Sequence, residues 1–323
     1  MNEAVKMKSN SLPKVNLSTW APLIALIILI VLSAIASEHF LNPRNITNVL
    51  RQVSYTGIIA LGMTFVIIAG GIDLSVGSMV ALIGVLVLML LNYLGDGWLA
   101  VFISISAAMV IGAFLGAING LLTTKGKITA FVATLATMSI FRSLTLYISD
   151  AGEMVATNSH YPDIGGGYFL AIPIPVWVFF SLAIIGHILL RHTAFGRHVC
   201  AVGSNAKVAT YSAINVTRVY FYTFVIVGLT VGLSAVMLSS RLNSISPGDA
   251  GLFYELDAIA AVVIGGTALT GGKGTLWGTV IGAIILGIIN NMLNLIGVSP
   301  YLQGAVKGLV IIIAVLMQFK RER

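Results

Sequence analysis

Read for its hydrophobic and polar positions, the chain resolves into ten apolar runs separated by polar stretches. They fall at about 20–37, 54–69, 76–94, 98–122, 130–149, 173–190, 219–238, 256–269, 276–295 and 301–319. A helix needs about 20 apolar residues to cross the bilayer core, and backbone in lipid must satisfy its own hydrogen bonds. The pattern therefore predicts an all-α polytopic membrane protein of about ten transmembrane helices. Two places break the regularity. Gly70-Gly71-Ile72-Asp73-Leu74-Ser75 interrupts the apolar pattern between the second and third runs, and the eighth run is short. Both are expected to be short, broken or re-entrant helices.

Composition agrees with this class. Hydrophobic residues make up 58 % of the chain and charged residues 9 %, against roughly 25 % charged in a soluble domain. The net charge of +7 would suggest nucleic acid in a soluble protein, but topology accounts for it here and no nucleic-acid partner is expected. With the N-terminus inside, cytoplasmic segments hold Lys6, Lys8, Lys14, Lys125, Lys127, Arg191, Arg197, Lys207, Arg218, Lys273, Lys320, Arg321 and Arg323. The outer segments hold Arg44, Arg51 and Arg241. This bias predicts an even number of spans with both termini cytoplasmic. The expected organisation is a cytoplasmic tail over 1–19, one transmembrane domain over 20–319 and a cytoplasmic tail over 320–323. Ala34-Ile35-Ala36 mimics a signal-peptidase site, yet the first run is long enough to remain an uncleaved span.

One polar stretch stands out among these apolar runs. Residues 191–218 carry Arg191, His192, Arg197, His198, Asn205, Lys207 and Arg218, and contain no run able to cross a bilayer. This is read as a cytoplasmic loop that docks a partner. Thr193, Ser204 and Asn205 offer helix N-caps, and 206–211 suits one or two helical turns.

Within the spans, a carboxylate at Asp73 is costly near hydrocarbon, so it is read either as a pathway or hinge residue or as a helix cap near Val76. Ser75 is its polar neighbour. Glu255 and Asp257 open the eighth run, where carboxylates suit the positive helix end. Arg142 and Lys307 are the cations inside spans, able to pair with a bundle carboxylate or to snorkel. Gly112, Gly116 and Gly120, like Gly228/Gly232 and Gly278/Gly282, recur every four residues and indicate close helix packing. Asn119, Asn290, Asn291 and Asn294 could line a route for a hydroxyl-rich solute or lock helices together. The segments from Ile67 and from Thr267 echo one another around a double glycine, as a repeat or as two similar turns.

Enzymatic chemistry has little support. Gly271-Gly272-Lys273-Gly274-Thr275 fails the phosphate-loop pattern, because Thr267 stands where a glycine is needed and Gly274 follows the lysine. His39, His160, His187, His192 and His198 form no metal-spaced set, and the lone Cys200 supports neither a disulfide nor a metal cluster. No metal or cofactor is expected in this chain.

Against this background, Gly71-Ile72-Asp73-Leu74-Ser75-Val76-Gly77-Ser78 resembles the signature of ribose-type permease subunits of bacterial ABC importers. So do Tyr254 to Val263, Gly265-Gly266-Thr267 and Gly271-Gly272-Lys273-Gly274. Thr193, Gly196, Arg197, Ala201, Gly203, Asn205, Ser212, Ile214 and Val216 resemble that family's cytoplasmic loop, and the likeness runs in order from about Asn42 to Val315. It implies a multi-pass protein of the bacterial inner membrane that imports ribose or a similar sugar. A second permease copy, an ATPase subunit carrying ATP and Mg, a periplasmic sugar-binding protein and the surrounding lipid would be its partners. Gly196, Arg197, Gly203, Asn205, Ser212, Ala213 and Ile214 would form the coupling loop. Asp73, Ser75, Asn119, Asn290 and Asn294 are the pathway candidates, and Arg44 and Arg241 the docking candidates for the binding protein. Two departures occur: the family's paired alanines read Val208-Ala209 here, and its glycine before the isoleucine is Ala213. The rival reading is a secondary transporter driven by an ion gradient, with Asp73 or Glu255 as the coupling acid.

Overall fold

A computed structural model describes residues 17–322, so Lys6, Lys8, Lys14 and Arg323 lie outside the described residues. Ten main helices follow the ten apolar runs. They begin with α1 (Leu17–Ala36), α2 (Pro43–Ile68), α3 (Val76–Leu94), α4 (Trp98–Thr124) and α5 (Ala130–Ile148). A cap of short elements follows: β1 (Met154–Val155), α6 (Pro162–Gly166), β2 (Tyr168–Phe169) and β3 (Ile172–Pro173). Next come α7 (Ile174–His192), the surface helices α8 (Ala194–Ser204) and α9 (Ala206–Tyr211), α10 (Val216–Leu242) and β4 (Ser244–Ile245). The chain closes with α11 (Tyr254–Ile264), α12 (Leu276–Leu295) and α13 (Pro300–Glu322). Seven helices (α2, α3, α4, α5, α7, α10 and α12) are long and apolar enough to cross a membrane, while the apolar parts of α1 and α13 are shorter.

Two sequence boundaries shift for physical reasons. The second span begins eleven residues earlier than the apolar pattern, at Pro43 rather than 54. Asn42 accepts from the Arg44 amide and Pro43 sits in the first turn, so the polar stretch that follows is already helical. Arg44 and Arg51 are thus helical residues, not loop residues. The eighth span is a half-helix: α11 has 11 residues, about 16 Å at 1.5 Å each, roughly half a crossing. The other half is the non-helical limb 243–253.

The bundle is built around α2, which buries every residue from Gly57 to Ile68 against its neighbours. Its longest partner interface joins α4 and α10 through glycine. A methyl group on Gly112 would overlap the Gly228 carbonyl, and one on Gly116 the Phe224 carbonyl, so these backbones touch. Gly278 and Gly282 likewise press α12 onto Gly265 and Ala261 of α11. In lipid, where burial between helices gains little hydrophobic energy, such close backbone contact supplies the packing.

One end of the bundle carries α8 and α9 and is termed the α8–α9 face. The other end, the far face, is closed by the short cap. There, β1 pairs with β4 through Met154–Ile245 and Val155–Ser244, and β2 pairs with β3. Tyr161 is buried and shares a 2.7 Å hydrogen bond with Ser239 of α10. Asp96 accepts from the Ser159 amide and hydroxyl at 2.8 and 2.9 Å, which holds its carboxyl below the usual range. The segment that reads as one polar loop in sequence is therefore a fastened lid.

Candidate functional site

Local capping builds the α8–α9 face. The Thr193 hydroxyl accepts from the Gly196 amide to start α8, and the Asn205 carboxamide accepts from the Lys207 and Val208 amides to start α9. Ser204, read as a possible cap, ends α8 instead and donates to the Cys200 carbonyl. The α9 terminus closes with the Ala213 amide bonded to the Thr210 carbonyl and the Ile214 amide to the Ala209 carbonyl. That is the helix ending which usually takes glycine at its left-handed position. Here Ala213 occupies it at φ 59°. Ala213→Gly is expected to stabilise the protein by about 1 kcal/mol by relieving this strain. A rise in melting temperature would register it, and an unchanged or lower value would contradict it.

Gly203, at the end of α8, is wedged between two other backbones. A methyl group there would overlap the Ile68 carbonyl, where α2 ends, and would lie 2.5 Å from the Gly272 amide nitrogen. Gly272 in turn donates to the Ile68 carbonyl at 2.8 Å, and a methyl on Gly271 would lie 3.2 Å from the Gly70 Cα. The two double-glycine turns that echo each other in sequence thus meet at the surface helix. Gly196 is just as tight, because a methyl on it would strike the Leu190 carbonyl.

The outer surface of α9 is bare. Tyr211 is 89 % exposed and Val208 56 %, one turn apart, with Lys207 and Ser212 exposed beside them. Arg197 is exposed on α8, while Ile214 is half-buried against the core. Cys200 is half-buried beside Arg191; burial pushes its thiol up despite the pull of that guanidinium, so it is a weak nucleophile.

Just inside this face, Asp73, Ser75 and Asn119 are drawn into one fully buried knot. Asp73 accepts from the Ser75 amide at 2.9 Å and its hydroxyl at 2.7 Å, and Asn119 donates to Asp73 at 3.2 Å and to Ser75 at 2.8 Å. Thr137 of α5 completes it by donating to the Asn119 carboxamide oxygen at 2.8 Å. The knot ties the α2–α3 turn to α4 and α5. Its polar groups bond one another, so in this conformation the three residues form a closed joint.

The non-helical limb 243–253 is held by Arg142 from the middle of α5. Its guanidinium donates to the carbonyls of Pro247, Gly248 and Ala250 at 2.6, 3.3 and 2.9 Å. The expected carboxylate partner is thus replaced by three backbone carbonyls, because non-helical backbone at this depth needs donors that lipid lacks. Glu255 and Asp249 are the acidic groups facing it. The other cation does find a carboxylate: Lys307 pairs with Asp257 at 2.9 Å, so Asp257, in the first turn of α11 as the sequence suggests, also joins α13 to α11.

The family model for the branched-chain amino acid transport system permease component matches residues 45–315. The ribose import permease protein of Bacillus subtilis is 49 % identical over 93 % of this chain and 92 % of its own length. That of Haemophilus influenzae is 43 % identical over 91 % of this chain and 90 % of its own. The D-allose transport system permease protein of Escherichia coli is 38 % identical, over 90 % and 88 % respectively. The chain belongs to the ribose-type ABC permease family. No solved structure matches it.

In this permease the remaining candidates separate. Arg44 is exposed on the far face beside a cavity of about 240 Å³ that it lines with His39, Asn42, Asn45, Asn48 and Leu295. Arg241, the second docking candidate, is half-buried, with its guanidinium 5.8 Å over the ring of buried Tyr55. A cation over an aromatic face gains more in a desolvated site than in water, which favours this placement. Arg51, only 8 % exposed, is held likewise over Tyr168 at 4.9 Å. The asparagines of α12 also diverge: Asn291 exchanges hydrogen bonds with Asn45, Asn294 accepts from Gln303, and Asn290 faces a cavity.

Proposed function

We propose that this permease is the membrane subunit of an importer for ribose or a similar sugar, driven by a separate ATPase that docks on α8 and α9. The single observation that carries this is the seat of Gly203 between Ile68 and Gly272. Any push on α8 reaches the ends of α2 and of the α11–α12 unit at once, with no slack for a side chain. Closure of two ATP- and Mg-loaded ATPase subunits would move that wedge and switch the bundle between two packed states. Exposed Tyr211 and Val208 are the apolar knobs for the ATPase groove.

Charge supports the orientation. Lys125, Lys127, Arg191, Arg197, Lys207, Arg218 and Lys273 gather at the α8–α9 face, and this bias supports the reading that it is cytoplasmic with both termini inside. The far face would receive a periplasmic sugar-binding protein, with exposed Arg44 meeting its carboxylates, and a second permease copy would complete the route. Arg44→Glu is expected to lower binding-protein-driven uptake about fivefold at low salt, and less at high salt. Equal uptake at all salt concentrations would remove Arg44 from the docking surface.

The function is tested by reconstituting the permease in proteoliposomes with ATPase and binding protein and measuring labelled D-ribose uptake. Uptake requiring ATP and both partners is expected. Uptake by the permease alone on an imposed proton or sodium gradient would establish the secondary-transporter reading instead.

A further inference from the structure

A cavity of about 100 Å³ lies between α2, α11, α12 and α13, lined by Gln52, Thr56, Tyr254, Asp257, Asn290 and Lys307 among others. Gln52, Asn290 and Lys307 sit nine, five and seven residues from the far-face ends of their helices, so the cavity is about 8–13 Å deep in the bundle. Its walls are chemically unusual for that depth. Lys307 and Asp257 form an ion pair at 2.9 Å, which uses one of the three ammonium protons. The Asn290 carboxamide oxygen is buried and has no hydrogen-bond partner among the described residues. Tyr254 brings a hydroxyl, and Gln52 is exposed on the open side.

Each such group costs free energy unless something meets it. The guest must both donate, to the Asn290 oxygen and the Asp257 carboxylate, and accept, from Lys307 and Tyr254. A neutral guest is favoured, because Lys307 and Asp257 already neutralise one another and leave no net charge to offset the desolvation of an ion. Hydroxyl groups satisfy all of these conditions. The space equals about three waters at roughly 30 Å³ each, which fits one hydroxyl-bearing edge of a sugar and not a whole ring. Such a hold is weak, as a route that must also release requires.

We infer that this cavity is a transient subsite for neutral polyols inside the permease, at the head of the half-helix α11. The substrate class rests on the importer reading above, but the subsite can be measured without it. Saturation-transfer NMR on the full permease in lipid nanodiscs, with D-ribose and with D-gluconate as probes, reads it directly. A millimolar ribose signal is expected, with none from gluconate, and it should vanish in Asn290→Leu and survive in Asn290→Gln. In proteoliposomes with ATPase and binding protein, Asn290→Leu should cut uptake about tenfold while binding-protein-stimulated ATP hydrolysis stays within about twofold. Equal signals from both probes, no ribose signal in the wild type, or uptake and hydrolysis falling together in Asn290→Leu would overturn the subsite. A ribose signal without ATP-driven uptake would instead defeat the importer reading and leave the subsite standing.

Discussion

Gly203→Ala is expected to lower ATP-driven uptake about 10- to 100-fold. Two effects compete at this position. Gly203 is helical, so alanine gains about 1 kcal/mol of helix propensity. Against that, the new methyl meets the Ile68 carbonyl and the Gly272 amide, both backbone atoms that cannot swing aside. Overpacking of a tight site costs about 1–3 kcal/mol, and here it must part three backbones, so the clash wins. The damage should fall on transmission, because the displaced elements are the ends of the moving helices. Binding-protein-stimulated ATP hydrolysis should therefore drop together with uptake. Gly304→Ala supplies the control, since a methyl there meets nothing within 4 Å in α13. If Gly203→Ala transports as well as Gly304→Ala, the wedge carries no force.

Removal of the Arg142 fork should have the next largest effect. Arg142→Ala leaves the Pro247 and Ala250 carbonyls without donors in a part-buried setting, while the Gly248 carbonyl is exposed and can find water. Two lost charge-assisted bonds correspond to about 3 kcal/mol. Arg142→Lys should recover less than half, because one ammonium cannot span three carbonyls fixed by a planar fork. Thermal unfolding in detergent measures the loss, and limited proteolysis should cut within 243–253 in the alanine variant first. A lysine variant as stable as wild type would mean that the limb is held by something else.

Much of the architecture was legible in the chain because lipid imposes it. Each of the ten apolar runs became a helix, and the four-residue glycine spacings became the α4–α10 and α11–α12 contacts. The caps at Thr193 and Asn205 were readable because capping is local. What escaped was long-range. Asp257 looks like a cap in sequence, and only folding brings Lys307 to it from fifty residues away. Arg142 invited a carboxylate partner, since sequence cannot reveal that an unwound backbone offers carbonyls at the same depth. Thr137 gave no signal at all, being an ordinary residue of an apolar helix. Surface helix α8 was legible at its Thr193 cap, while the mixture of arginine, histidine and glycine that follows reads as loop.

Cross-linking from α9 tests the central claim most directly. With Cys200 replaced by serine, Lys207→Cys would be placed on exposed α9, its thiol alkylated with a maleimide carrying a benzophenone, and the assembly with its ATPase irradiated so that the benzophenone inserts into a nearby C–H bond of the partner. A covalent permease–ATPase product, formed in yields that differ between ATP-bound and nucleotide-free states, is the predicted result. No product in either state, with the new thiol labelled instead by an impermeant reagent added outside intact cells, would contradict the account.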